Sequence, residues 1–530
     1  MRSRRRLAVP AAVLSVVVLA CLSSPWAAGA AGKQGIIYNL PGAPVTLDPT
    51  YAYDPSGLTA VLNMFEGLLR FDESHRPQPA MASAWTVSPD GLVYRFTLRE
   101  AFWSNGQPVT AQDFAYAWLR ALTPGDPADG TPFLYAIANA EAYHKGSLRD
   151  PKQVGIRAVN ARTLEVTLAK PLGHFLTLCC YPPFLPVNRR AVESDPAGWC
   201  ENPKTAAANG PYRLLEKRES LLVLAPNPYY WQKGRSRGTT VTLTWLKPDE
   251  IGPAYAAGLL DGALDPPRNL NGRYLDREEL RLSFLLFNLR RPPFDKLLVR
   301  QAVAGVLDRA AVARAAAEIP AFAVVPPGLP DAEAGKEFRA TGGGMLFADR
   351  DPNLARQRLA LAGHPGGLGV PPLDLVYVSD IKRNKIFADA VATGLAEIGL
   401  RAVHVPVSWE EYQRRLSAGE FALARVGWLA DCPDPYAFLS LFAADAATNY
   451  GGYRNDQFEL ALREALTAAE PAGRAAALHR AEAQLAADLP LVPVTYGKRS
   501  YLEQPDLRDV VHLYIGVPYF RLAWLAQKKP

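Results

Sequence analysis

The chain has 530 residues, 49% of them hydrophobic and 21% charged, which excludes a disordered or coiled-coil protein. Its length exceeds what one hydrophobic core usually fills, so two or three lobes are expected. The formal net charge is +6, but Arg2, Arg4, Arg5 and Arg6 supply four of those charges; without them it falls to +2, too near balance to argue for nucleic-acid binding.

Those arginines open what reads as an export signal, assigned to residues 1–31. An apolar run, Leu7 to Ala20, follows, shorter than the roughly 20 residues that span a bilayer. Val18-Leu19-Ala20-Cys21 resembles a lipobox with Cys21 as the lipidated residue, whereas Ala28-Gly29-Ala30 suits an ordinary signal peptidase. No later segment is long and apolar enough to span a membrane. Export permits disulfides, and Cys179 or Cys180 with Cys200 is the local pairing to consider. No CxxC pair is present, so neither a zinc site nor any cofactor is expected.

Pro89-Asp90-Gly91 is a turn, after which Tyr94, Phe96 and Leu98 alternate with Arg95, Thr97 and Arg99 as in a half-buried strand. Thr110 and Asp113 form a capping box ahead of Phe114, Trp118, Ala121 and Leu122 at helical spacing. Asp295 is placed to cap a helix with the stripe Val299, Ala302, Val303 and Val306, and Asp308 to cap the next. Residues 373–378 read as strand, 384–398 as helix, 401–407 as strand, 410–416 as helix and 421–428 as strand. This order argues for a parallel α/β sheet, in which ligands sit beyond the carboxyl ends of the strands. Gly427-Trp428-Leu429-Ala430-Asp431 lies at such an end. Helices are expected over 456–470 and 472–487, and a strand at Leu491-Val492-Pro493-Val494.

An enzyme finds little support. Gly234-Arg235-Ser236-Arg237-Gly238 matches G-x-S-x-G, but polar Gln232-Lys233 precedes it and a strand-like run follows, the reverse of a nucleophile elbow. Gly342-Gly343-Gly344 lacks the Lys-Ser/Thr of a phosphate loop, and the histidines have no metal spacing.

Seven blocks in order carry a resemblance: Thr46 to Pro49, Phe65 to Leu68, YRFTLREAFWSNGQPVTAQDFAYAWLR from Tyr94, Asn209 to Tyr212, Asn227 to Trp231, PPFDKLLVRQAV from Pro292, and GWLADCPDPYAFL from Gly427. Together they resemble family 5 of the extracellular solute-binding proteins, the oligopeptide and dipeptide binders of ABC importers. The resemblance implies an α/β fold of the type II periplasmic-binding-protein kind, two lobes joined by a hinge with a third inserted. Carried over, lobe I is 32–65, 196–280 and 499–530, lobe II is 66–195, and lobe III is 281–498. It implies a monomer that binds a peptide between lobes I and III and hands it to permease subunits. Its only membrane tie would be a lipid anchor.

The resemblance also implies site residues. Asp431 matches the aspartate that pairs with the peptide's α-amino group, and Arg425 an arginine near its carboxylate. Lys382 and Arg383 lie where a basic side chain meets the C-terminal end. Gly427 and Trp428 line the site, Trp428 as the floor of a side-chain pocket or as core. Tyr51 and Tyr53 lie in an early lining stretch. Asn288 closes another, here the unusually apolar Ser283-Phe284-Leu285-Leu286-Phe287. Neither Leu429 nor Arg281 is cysteine, so the disulfide some relatives carry there is not expected. The competing readings are a binder of the same family for a metal chelate, an opine or a sugar, a surface sensor or scaffold, and a secreted hydrolase.

Overall fold

The structure is a computed structural model. It describes residues 35–526 apart from 74, 127, 129, 236, 237, 334, 335, 343, 344, 431, 432 and 469. The export signal with Cys21, together with Asp431, Cys432 and Ser236, therefore lies outside the described residues.

Eleven strands build one large sheet, labelled here in chain order: β1 (Ile36–Asn39), β2 (Tyr212–Arg218), β3 (Leu221–Pro226), β4 (Val241–Thr244), β5 (Gly262–Leu264), β6 (Tyr274–Phe287), β7 (Ile319–Pro320), β8 (Leu373–Val378), β9 (Ala402–Val407), β10 (Leu423–Leu429) and β11 (Leu491–Glu503). Their order is β9-β8-β10-β6-β11-β5-β1-β4-β3-β2, with β7 added against β11. A separate four-stranded antiparallel sheet holds Val93–Leu98, where Tyr94, Phe96 and Leu98 are buried and Arg95 and Thr97 exposed, as the alternation predicts. Helix α1 (Ala111–Ala121) packs nearby, and its capping box is formed by Thr110 and Asp113.

Two large cores result. One gathers side chains from residues 36–264 and 501–523, the other from residues 280–496. Among the described residues, β6 and β11 run through both halves as a paired ribbon. Residues 274–278 of β6 pair with 498–502, and 282–286 pair with 491–496. Between them the register shifts, so Glu279, Leu280 and Arg281 bulge opposite Gly497. Bulges bend a ribbon and loosen its ladder locally, which suits a hinge. Residues 274–279 are thus part of the strand.

In the second half, α2 (Leu297–Ala304) and α3 (Arg309–Ala316) follow the ribbon. Asp308 caps α3 by accepting from Ala311 N at 2.8 Å. Asp295 does not cap α2: the cap position is Lys296, one residue later, and no side chain caps it. The stripe Val299, Ala302, Val303 and Val306 is buried as expected. Then β8, α4 (Lys382–Glu397), β9, α5 (Trp409–Ala418) and β10 alternate, with β8 parallel to both β9 and β10. Helices α6 (Asp456–Thr467) and α7 (Pro471–Asp488) precede β11. Cys179, Cys180 and Cys200 are free thiols, so the local bridge is not formed. Each is buried in the first core, where burial pushes its pKa up and keeps it protonated. Among the described residues no helix is long and apolar enough to cross a membrane.

Candidate functional site

The carboxyl ends of β8, β9 and β10 open on one cavity of about 860 Å³. Beyond β8, Ile381, Lys382 and Arg383 line it at the start of α4; beyond β9, Trp409 does so; β10 contributes Arg425, Gly427 and Leu429. The alternation of β10 turns these last three toward one side. The rest of the lining comes from the hinge ribbon (Glu279, Arg281, Lys498, Arg499 and Ser500), the end of α3 with Glu318, and the residues after β5, Asp265, Pro266 and Arg268. The cavity therefore lies between the two cores, with the hinge at its back.

The carboxyl half of β10 has an open edge. Arg425 to Leu429 pair with β6, as Arg281↔Leu429 and Ser283↔Gly427, but β8 pairs with β10 only at Leu423 and Ala424. Among the described residues, one line of backbone N–H and C=O groups along the cavity thus has no strand beside it, and Tyr412 donates to Arg425 O at 2.8 Å. Such an edge can pair with any extended peptide backbone.

A chain of ions crosses the hinge. Arg499 donates to Asp265 and, at 2.7 Å, to Glu279; Arg281 donates to Glu279 at 3.0 Å and to Glu318. Burial pushes Glu279 up, but Arg499 and Arg281 outweigh it and hold its carboxyl below the usual range. The same carboxylates raise Arg281 and Arg499 against the lowering effect of burial. Alongside, Asp276 accepts from Arg268 at 2.8 Å and from Lys498 at 2.9 Å.

Arg425 differs. It is only 9% exposed, yet Nη2 donates to the neutral Ser283 Oγ at 2.9 Å and Nε has no partner. Burial brings its pKa down to about 10, so it stays charged at neutral pH. Trp428 points to the other face of β10, where Nε1 donates to Ala437 O at 3.1 Å. With Phe284, Tyr412, Leu441, Phe442 and Tyr450 it lines an apolar side pocket of about 150 Å³ that shares Ile381, Trp409, Arg425 and Gly427 with the main cavity.

Of the residues expected from the sequence, Arg425, Gly427, Lys382 and Arg383 thus line the cavity and Trp428 its side pocket. Three do not join them. Asn288 follows β6, which runs antiparallel to β10, and so lies at the amino end of β10. Its amide donates to Gly419 O and Phe421 O, both at 3.0 Å, a structural role. Tyr51 donates to Asp126 at 2.7 Å and stacks under Arg120, and Tyr53 packs against Gly130; neither lines the cavity. The ion chain and Trp409 were not foreseen. The only sequence signal for the chain was the charged run Asp276 to Arg281 within a strand, facing Lys498-Arg499.

Residues 76–450 match the family described as bacterial extracellular solute-binding proteins, family 5 middle. The chain is 30% identical to the dipeptide-binding protein DppE of Bacillus subtilis, over 93% of this chain and 92% of that one. It is 27% identical to the murein tripeptide-binding protein MppA in its unliganded open form, with a TM-score of 0.81 over 93% of this chain and 98% of the other. A further structure of MppA, from Escherichia coli, at the same 27% identity and covering 94% and 99%, gives 0.67. At equal identity the chain thus superposes better on the unliganded open form than on that second structure.

Proposed function

The chain belongs to the bacterial extracellular solute-binding proteins of family 5, and from that premise we propose that it captures peptides outside the cytoplasm and delivers them to the permease of an ABC importer. The observation that carries this reading is the open edge of β10 along a hinged cavity. Peptide backbone is common to every peptide, so pairing with that edge supplies affinity without demanding a sequence. The side pocket at Trp428 takes an apolar side chain, and Arg425 with Arg383 and Lys382 takes the C-terminal carboxylate. Asp431, two residues beyond β10, is assigned the α-amino group.

Capture requires closing. Bending at the Glu279–Arg281 bulge brings lobes I and III together over the ligand, where lower dielectric strengthens each charge contact. The lobes are proposed as residues 32–65, 196–280 and 499–530 for the first, 66–195 for the inserted one, and 281–498 for the third. The protein acts as a monomer that binds rather than reacts. Residues 1–31 direct export, and Cys21 is the lipid attachment point if the lipobox is used.

Mass spectrometry of ligand retained through purification tests the reading. A mixed population of peptides is expected, and Asp431→Asn should release it. Recovery of a single non-peptide solute would overturn the proposal.

A further inference from the structure

Seven cationic side chains line the cavity, and they fall into two groups. Arg268, Arg281, Lys498 and Arg499 are answered by four carboxylates, Asp276, Glu279, Glu318 and Asp265, so that group is neutral. Lys382, Arg383 and Arg425 have no carboxylate within ion-pair distance among the described residues. They leave an excess of three positive charges on the side of the cavity formed by α4 and β10.

Three features mark this side as built for anions. Arg425 is buried with Nε unpartnered and lines the cavity. Helix α4 begins there, and no side chain caps its first N–H groups: Ile381 stands at the cap, and Asp380 turns to Ser379 Oγ at 2.7 Å. Its first turn carries Lys382 and Arg383, the charge opposite to that which a helix N-terminus favours. A local rule broken beside a cavity is a mark of function rather than of stability. Beyond burial, Glu318 raises the Arg425 pKa while Arg383 and Arg281 lower it, and Arg281 lowers that of Arg383 while Glu318 and Glu279 raise it, so the cluster feels both its neighbours' repulsion and a distant share of the hinge carboxylates.

One C-terminal carboxylate neutralises one of the three. The α-amino group and Asp431 cancel each other in the proposed binding mode and do not change the count. We propose that the cleft prefers acidic peptides, those that bring at least one side-chain carboxylate besides the C-terminal one, with Arg383 and Arg425 at the N-terminus of α4 as the residues that set the preference. This rests on the peptide reading above.

The test is a competition for the mature chain between equimolar pools of tri- to pentapeptides, identical except for Glu or Gln at one internal position, read by native mass spectrometry. The Glu pool should be enriched by about tenfold, the scale of one desolvated charge contact. Arg383→Gln should cut that enrichment to about threefold or less, whereas Arg463→Gln, an equal charge change on the exposed face of α6, should leave it intact. Equal capture of both pools would overturn the acidic preference and leave the peptide reading standing. Capture of neither would overturn both. A Glu preference that survives Arg383→Gln and Arg425→Gln unchanged would overturn the assignment to these residues.

Discussion

Arg425 Nη2 meets Ser283 Oγ at 2.9 Å across the β10–β6 ladder, and among the described residues this neutral hydroxyl is the one hydrogen-bond partner of a guanidinium that is 9% exposed and lies 5.8 Å over the Phe387 ring. A buried charge so poorly compensated costs stability, which is sensible only where a ligand completes the site.

Arg425→Met separates those two effects. Removing an unpaired buried charge should hold or raise stability, by about 1–2 kcal/mol in denaturant unfolding. Peptide affinity measured by calorimetry should fall by about tenfold or more. A variant that unfolds more easily while binding as before would place Arg425 among the structural residues.

Gly497 faces the bulge. A Cβ there would stand 2.8 Å from Arg281 Nε, 2.8 Å from Glu279 Oε2 and 2.9 Å from Arg281 Cβ. Gly497→Ala must displace the pair that links the hinge, and a cost of about 1–3 kcal/mol is expected from urea unfolding. Small-angle scattering should also show a changed response to ligand. Wild-type stability with wild-type closure would mean that the pair moves aside freely.

The hinge carboxylates predict an acid dependence. Burial pushes Asp276 up, but hydrogen bonds from Arg268, Ser500 and Lys498 outweigh it and bring its pKa down to about 2, below the ordinary 3.8. Glu279 is likewise depressed below its ordinary 4.5. Groups lowered on folding stabilise the fold fully above their ordinary values, and that stabilisation drains away as pH falls through the folded-state values. Unfolding free energy should therefore drop between about pH 4.5 and 2. Asp276→Asn should flatten that slope while being the less stable protein at pH 7. Parallel slopes for the two proteins would remove Asp276 from the account.

Trp409 stands 61% exposed at the cavity rim, at the start of α5. Closing over a peptide should cover it, so its fluorescence should shift to the blue on ligand addition. Trp409→Phe should abolish most of that change. An unaltered spectral response would mean that another tryptophan reports closure.

Local pattern carried much of the second half. The βαβαβ alternation from residue 373 to 429, the Asp308 cap and the buried faces of Val93–Leu98 all follow from periodicity and capping, which act over a few residues. Asp295 failed as a cap because the helix begins one residue further on, a boundary that local chemistry leaves loose. Asn288 was misplaced because strand direction is a property of pairing: only the antiparallel run of β6 against β10 shows that it lies at the far end from the cavity.

The chain's own residue order was enough to name the family and to pick out Arg425, Gly427, Lys382 and Arg383, which the fold brings to one cavity at the carboxyl ends of parallel strands. The tertiary structure alone decided which cations are spent on partners and which are free. Asp265, Asp276, Glu279, Glu318 and Arg499 are spread over more than 230 residues, and whether two charges neutralise each other depends on distance in space. That accounting is what separates a balanced hinge from an unbalanced ligand wall.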